Sequence, residues 1–550
     1  MNPPNINYNN DGSLSPTLKQ PRLNETASGV SAGREVSVQD NIEPAFFHLP
    51  EEIHARIIHL LDFREVTRLA KVCKYLHDLV KNDKALERAW FRRFPSPHQY
   101  QLKTIITSKD DQQLRDWLTP FANTDTVESL IKKRDTAYFP ALILFTKSKM
   151  MSQCELFKLE TKAKITHREE VNTATFSADS RHVVTTSLGN TVKICGQKAN
   201  GSWETKGIIT HAGWLRSATF SADSRQLVTA SRDHTAKICS LQDDGTWEEK
   251  ATIFHTCFVN SAIFSADDRH VATASHDYTA KICSQGDNGL WEVKATIQHS
   301  NGVRSAIFSA DSRHVVTASD DKTAKIYSLM SDGSWEEKAT INHEGRVLSA
   351  TFSADSRFVV TASEDSTAKI YDLQADESWR EIATISHDDV VYSANFSADG
   401  RHLVTASEDN TAKIHEETNG SWEEKATINH EGWVLSATFS DDGRHVVTVS
   451  VDKTAKIYGL LTDGSWVEKA TIAHKDLIRS ATFSTDGCLV VTASRDKTAK
   501  IYGLGANGSW LEKATIRHKK AVRAATFSAD SRFVMTGSED KTARITELWK

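Results

Sequence analysis

The chain has 550 residues, of which 25% are charged and 39% hydrophobic, and it carries a formal net charge of −5. No apolar run approaches the roughly 18 residues of a membrane-spanning helix, and the slightly acidic balance argues against a nucleic-acid partner, which would demand a basic surface. The seven cysteines are an odd number without Cys-x-x-Cys pairs, which argues against a disulfide framework or a structural zinc site and points to a reducing compartment.

Residues 1–43 are rich in Asn, Ser and Pro and lack a positively charged start followed by an apolar stretch, so they predict a disordered tail and no secretory signal. Residues 44–95 change character. Pro50 suits the first turn of a helix, and Glu51 and Glu52 favour its positive end. Leu49, Ile53, Ile57, Leu60 and Leu61 recur at helical spacing, and Val66, Leu69, Val72, Cys73, Leu76 and Leu79 form a second stripe. The spacing predicts two or three short helices, and most of these side chains serve their own small core.

The Leu49-Pro50 start, the two stripes, Val72-Cys73-Lys74 and the later Trp90 together resemble an F-box. About 45 residues bury little core, so leftover apolar surface is expected to meet a partner helix. The resemblance implies that this partner is the adaptor subunit of an SCF-type (cullin) ubiquitin ligase, and Leu49, Pro50, Ile53, Ile57 and Leu61 match the contact-forming start of the motif. Residues 96–152 follow without any repeat. Apolar stripes near Leu114 to Phe121 and Val127 to Ile131 predict linker helices. In F-box proteins with WD repeats, a stiff linker of this kind sets the reach between ligase and target.

Residues 153–550 repeat one pattern nine times. Its marker histidines are His167, His211, His255, His299, His343, His387, His430, His474 and His518, spaced by 44 residues with one step of 43. Each unit holds strand-like runs, as at Ser217 to Phe220, Gln226 to Ser231, Ala236 to Ser240 and Trp247 to Ile253. Four strands per unit of 40 to 45 residues is the signature of a β-propeller blade. The units resemble WD repeats, with the His, the turn Asp and the Phe-Ser largely kept. The fold expected is therefore mainly β: a nine-bladed propeller behind a small α-helical F-box and helical linker, one blade beyond the usual four to eight.

Two departures from the family pattern bear on stability. The tryptophan of the third strand is replaced by Cys195, Cys239, Cys283, Tyr327, Tyr371, Tyr458, Tyr502, His415 and Thr546, which puts intrablade stiffness in doubt. The first unit has Gly189 where the others have Asp, so the first blade is expected to be the weakest. Lys162-Ala-Lys-Ile-Thr-His167 matches the fourth strand of the other units and is expected to complete the last blade, removing open sheet edges.

Function is expected where the units differ. One variable position reads Asn172, Arg216, Asn260, Arg304, Leu348, Tyr392, Leu435, Arg479 and Arg523; a second, before the turn Asp, reads Leu188, Arg232, His276, Asp320, Glu364, Glu408, Val451, Arg495 and Glu539. Two residues before the first position stand Trp214, Phe258, Arg346 and Trp433. The resemblance places these positions at the mouth of the central channel, where F-box members use arginines to bind phosphorylated peptides. It carries over to Arg216, Arg232, Arg304, Arg479, Arg495 and Arg523, with Trp214, Trp433 and Tyr392 as neighbouring anchors. A guanidinium fork matches phosphate bidentately. The plainer reading is an arginine that is only solvated, or paired with an acid such as Asp320 or Glu539. The tryptophans that open the fourth strands are read as packing at the blade edges.

Ser, His and Asp recur in nearly every unit, so triad-like combinations arise by construction and signify no enzyme; neither cofactor nor metal is expected. The sequence thus predicts a non-enzymatic substrate receptor whose partners are the SCF adaptor and a target protein or phosphopeptide, with no nucleic acid and no membrane. A WD-repeat scaffold without a role in ubiquitination, or a bacterial effector using a host SCF ligase, are the alternatives. The expected location is the cytoplasm, with the nucleus, or host cytosol for an effector, left open.

Overall fold

The computed structural model describes residues 110–118, 127–128, 131–132, 156–505 and 508–549. The tail, the F-box segment and most of the linker lie outside the described residues, as do Leu49, Pro50, Ile53, Ile57 and Leu61. Within the linker, α1 (Asp111–Leu118) begins with a capping box: the Gln113 amide donates to the Asp110 carboxylate at 2.8 Å and the Asp110 amide to Gln113 Oε1 at 3.1 Å. Leu114, Val127 and Ile131 are buried, and Arg115 pairs with Glu128 at 2.6 Å.

Thirty-six strands follow among the described residues, forming nine four-stranded antiparallel sheets. In the second blade they are β6 (Leu215–Phe220), β7 (Gln226–Ser231), β8 (Thr235–Leu241) and β9 (Trp247–Phe254), in that spatial order. The ninth blade is closed as expected: β1 (Lys158–Thr166) pairs antiparallel with β36 (Thr542–Trp549), Ile165 opposite Ala543 and Leu159 opposite Leu548. The first strand of each blade touches that of the next, including the last against the first, so these strands surround the axis.

The apolar residues meet between blades. Val228, Ala230, Ile238 and Ile253 of the second blade pack with Val259, Ala262, Val271 and Cys283 of the third, and nine such clusters fill the nine gaps of the ring. The third-strand cysteines are filler in this sense: Cys239 and Cys283 are buried, and burial pushes each thiol up to about 12. At the lower end of the blades the tryptophans close the wedges. Trp335 sits edge-on to Phe308 of its own blade at 6.0 Å and to His270 of the preceding blade at 5.6 Å between centroids.

The upper end is held by the repeated histidine. His211 Nδ1 donates to Asp233 at 2.8 Å, its Nε2 faces the Thr229 hydroxyl at 2.8 Å, and Asp233 also accepts from the Ala212 amide and from Thr235. The missing indole is replaced by backbone: the Thr229 hydroxyl accepts from the Lys237 amide at 3.3 Å and lies 3.4 Å from the Lys237 carbonyl. The network therefore reaches the third strand without a tryptophan. The first blade lacks the carboxylate, and His167 Nδ1 has Thr191 Oγ1 at 3.4 Å instead.

At the seam, Glu547 is fully buried between Arg532 and Lys162, the latter at 2.9 Å, so it ties β1 to the last two strands. Cutting it to alanine removes the ion pair of Arg532 and leaves Lys162 with Glu160 alone, a change worth about 1.5 to 3 kcal/mol. Glu547→Ala is expected to lower the melting temperature and speed amide exchange in β1; unchanged exchange there would show that the triad does not hold the seam. In the first blade, Gly189→Asp should supply the carboxylate that His167 lacks. The new Cβ meets Glu169 Cβ and Cγ at 3.0 Å and Ser187 Oγ at 3.4 Å, so the exposed Glu169 must give by a few tenths of an ångström. A gain of about 1 to 2 kcal/mol is expected by calorimetry, and a loss would refute the reading.

The same network makes stability depend on pH. Burial holds the nine repeated histidines below their ordinary value, His167 at about 4, even where a carboxylate pulls the other way. Below pH about 6.5 the unfolded chain takes up protons that the folded one refuses, so stability is full above that value and falls toward pH 4. Burial alone would raise Asp233, but hydrogen bonds from Thr235 and the Ala212 amide, with His211 beside it, bring it down to about 2, which extends the loss below pH 4. The melting temperature should be level above pH 7 and fall steadily below 6.5; a flat profile to pH 4.5 would contradict the buried neutral histidines.

Candidate functional site

Two backbone constraints bring the three variable positions together at the upper end of the innermost strands. Between the pairs Leu215 with Ser231 and Ser217 with Ala230 the register skips Arg216, which makes Arg216 the extra residue of a β-bulge. The same skip falls on Asn172, Asn260, Arg304, Leu348, Tyr392, Leu435, Arg479 and Arg523. A bulge bends the strand and re-aims its extra side chain. The second constraint is a hydrogen bond: the Arg232 amide donates to the Trp214 carbonyl at 2.8 Å, as His276 does to Phe258 and Val451 to Trp433. Gly213 permits this approach, since a Cβ there would stand 2.6 Å from the Asp233 amide nitrogen.

The six arginines divide by electrostatic surroundings. Arg304 forms an ion pair with Asp320 of its own blade. Arg523 pairs with Glu539 at 3.0 Å and, across the seam, with Glu170 at 2.8 Å. Arg216, Arg232, Arg479 and Arg495 have no carboxylate within ion-pair distance among the described residues. They form two doublets, one in the second blade and one in the eighth. Burial, and then the charge of Arg232, lower the Arg216 pKa; burial, then Arg495 and Arg523, do so for Arg479.

Arg232 is held by stacking instead. Its guanidinium carbon lies 5.1 Å from the Trp214 ring and 5.4 Å from the Phe258 ring, so two aromatic rings from adjacent blades flank one cation. Trp214 and Phe258 remain 52% and 37% exposed.

The opposite arc is acidic and apolar. Tyr392 donates to Glu408 at 2.7 Å, and burial together with that carboxylate pushes its phenol up to about 12. Arg346 pairs with Glu364 at 3.3 Å, and Trp433 stands 47% exposed beside Leu435 and Val451. The asparagines of the polar arc serve the ring: Asn260 donates to the Val303 carbonyl of the next blade at 2.8 Å and Asn172 to the Leu215 carbonyl at 3.4 Å. Glu170, which neutralises Arg523, occupies the third variable position of the first blade, two residues before Asn172, but its pairing with a residue 353 positions away had no sequence signal. Among the described residues no group of three His, Cys, Asp or Glu is placed to hold a metal ion.

Comparisons with known proteins agree with this architecture. A model of the F-box-like family matches residues 46–93, and the WD domain, G-beta repeat model matches nine segments from 160–195 to 511–547. A search of curated proteins finds no match. Among solved structures the chain is similar to Sqt1 from Chaetomium thermophilum, with a TM-score of 0.50 and 12% identity over 60% of this chain and 96% of that one. The same protein bound to the N-terminus of ribosomal protein L10 matches with a TM-score of 0.50 and 13% identity over the same shares. At this identity the likeness shows the fold alone. An F-box joined to a WD40 propeller is a protein-interaction architecture, and the propeller fold is typically a non-catalytic scaffold. The nine matched repeats cover more than half of the chain, which therefore belongs to the WD-repeat family, as an F-box-like protein with C-terminal WD repeats.

Proposed function

We propose that the protein is the substrate-recognition subunit of an SCF-type ubiquitin ligase. The F-box docks on the adaptor through Leu49, Pro50, Ile53, Ile57 and Leu61, the linker sets the reach, and the upper face of the propeller holds a target protein. The protein itself performs no chemistry; ubiquitin transfer follows from holding a target lysine near the charged carrier enzyme. Such a receptor would act in the cytoplasm.

The observation that carries this reading is the union, in one chain, of an F-box-like segment with a propeller whose variable residues gather at one mouth. Within that face, Arg216, Arg232, Arg479 and Arg495 have no carboxylate within ion-pair distance among the described residues, which suits an anionic or phosphorylated peptide. Trp214 and Trp433 are exposed aromatics of the kind that anchor peptide ligands.

The full-length protein is expected to capture the purified SCF adaptor in a pull-down, and a Leu49→Ala, Pro50→Ala, Ile53→Ala variant to lose it while its propeller melts at an unchanged temperature. A folded wild type that leaves the adaptor in solution would remove the ligase from the reading and leave a propeller scaffold.

A further inference from the structure

Along the outer wall of the ring, six blades carry one polar arrangement on the outermost strand. In the fourth blade Glu337 accepts from Lys325 at 3.0 Å, from Tyr327 at 3.0 Å and from Thr340 at 2.6 Å. Glu249, Glu381, Glu424, Glu468 and Glu512 pair with the matching lysines of the second, fifth, sixth, seventh and eighth blades. A glutamate midway along an exposed edge strand also keeps edges apart, because a like strand laid against it would bring carboxylate onto carboxylate.

The third blade lacks this carboxylate. On its outermost strand, β13 (Trp291–Gln298), Val293 stands opposite Cys283 where the fourth blade has Glu337 opposite Tyr327, and Val293 is 51% exposed. At the foot of β13, Leu290 is 62% exposed, in the place where the other blades with that tryptophan carry serine or threonine before it. At the upper end of β9, Phe254 is 68% exposed where the fourth blade has Asn342. Lys281 connects the two blades by donating to the Phe254 carbonyl at 2.6 Å. The fourth, fifth and sixth blades expose no large hydrophobic side chain among the described residues, so this apolar wall is local. Three solvent-facing departures on one wall of an otherwise uniform array do nothing for the wedges, and exposed apolar surface of this kind marks a contact.

The charges beside Val293 decide what fits. Glu292 precedes it and Lys294 follows it, the two paired at 2.7 Å. Two such walls facing each other about a two-fold axis at Val293 run antiparallel. Val293 then meets the partner subunit's Val293, the acid of each copy meets the base of the other, and Phe254 at the top of one wall falls against the foot of the other, where Leu290 stands. On the six other edges the same operation sets glutamate against glutamate. Lys294 is skipped by the ladder between Val293 and Ala295, and a bulged edge resists strand addition, so the contact is made by side chains. We infer that the outer wall of the third blade, with Phe254 of the second, is where a second copy of this chain docks, forming a reversible two-fold dimer. This goes beyond the receptor reading and does not depend on it.

The test is sedimentation velocity of the full-length protein from about 1 to about 200 µM, a range that covers the weak affinities of small interfaces. The wild type should pass from monomer to dimer. Val293→Glu, which gives β13 the edge of the fourth blade, should weaken association at least tenfold, as should Leu290→Ser and Phe254→Asn. Each borrows a residue that another blade already carries at that position, so the melting temperature at the lowest concentration should match the wild type. Leu511→Glu, on the exposed edge of the eighth blade, should leave the dimer unchanged. Glu292→Lys and Lys294→Glu should each weaken it alone, and together should restore it, which only a two-fold contact predicts. A monomer at every concentration, a dimer indifferent to Val293→Glu, or a double swap that fails to recover would overturn the inference. Adaptor capture by the same variants reports on the receptor reading separately.

Discussion

No blade of this propeller has a core of its own: the residues that leave water do so against the next blade, in nine wedges that together make a closed ring. A four-stranded sheet exposes two faces, and only a neighbour on each side covers both. The ring therefore depends on the ninth blade, where strands from opposite ends of the repeat region share one sheet. That seam carries more specific fastening than other boundaries. Glu547 is buried between Lys162 and Arg532, Phe157 fills the wedge against Leu489 that tryptophans fill elsewhere, and Arg523 reaches Glu170.

The lower turns show how a repeat can carry a neighbour contact. Ser180, Ser224, Ser312 and Ser356 all adopt positive φ near 60°, which is uphill for a residue with a Cβ. Each hydroxyl accepts the amide of an aspartate in the preceding blade, as Ser224 does from Asp179 at 3.1 Å and, across the seam, Ser180 from Asp530 at 3.3 Å. In the third blade Asp268 takes the same place, its carboxylate accepting from the Ala222 and Asp223 amides. Where the turn carries Gly400, Gly443 or Gly487, the conformation is free and the hydroxyl is given up.

Much of this was legible in the sequence, because periodicity reports what every unit must do. The nine histidines, the turn aspartates and the strand runs state the blade count and the pairing of the ends without reference to any contact. What periodicity does not report is pairing between units. That Arg304 meets Asp320 was foreseeable from two positions of one blade; that Arg523 meets Glu170 was not, since the partner stands in another repeat, across the seam. The bulge was hidden too, for a residue skipped by the ladder looks like any other strand residue in an apolar and polar pattern. The doubt over the missing tryptophans shows the converse error: Thr229 finds the Lys237 backbone, a partner that any sequence supplies.

The bulge also explains why the units differ where they do. A residue already skipped by the ladder pairs with no strand residue, and at the channel mouth its side chain leaves the wedge to the neighbours on either side. Asn, Arg, Leu and Tyr all stand there with the ladder on either side kept in the same register. The wedge positions have no such freedom: they read Val, Ala and Ile almost without exception because a methylene too many or too few is felt by two blades at once. Stability and recognition are thus separated along each first strand within a single residue step, from buried Leu215 to the bulged Arg216. A binding face can be rewritten blade by blade while the ring that carries it stays the same.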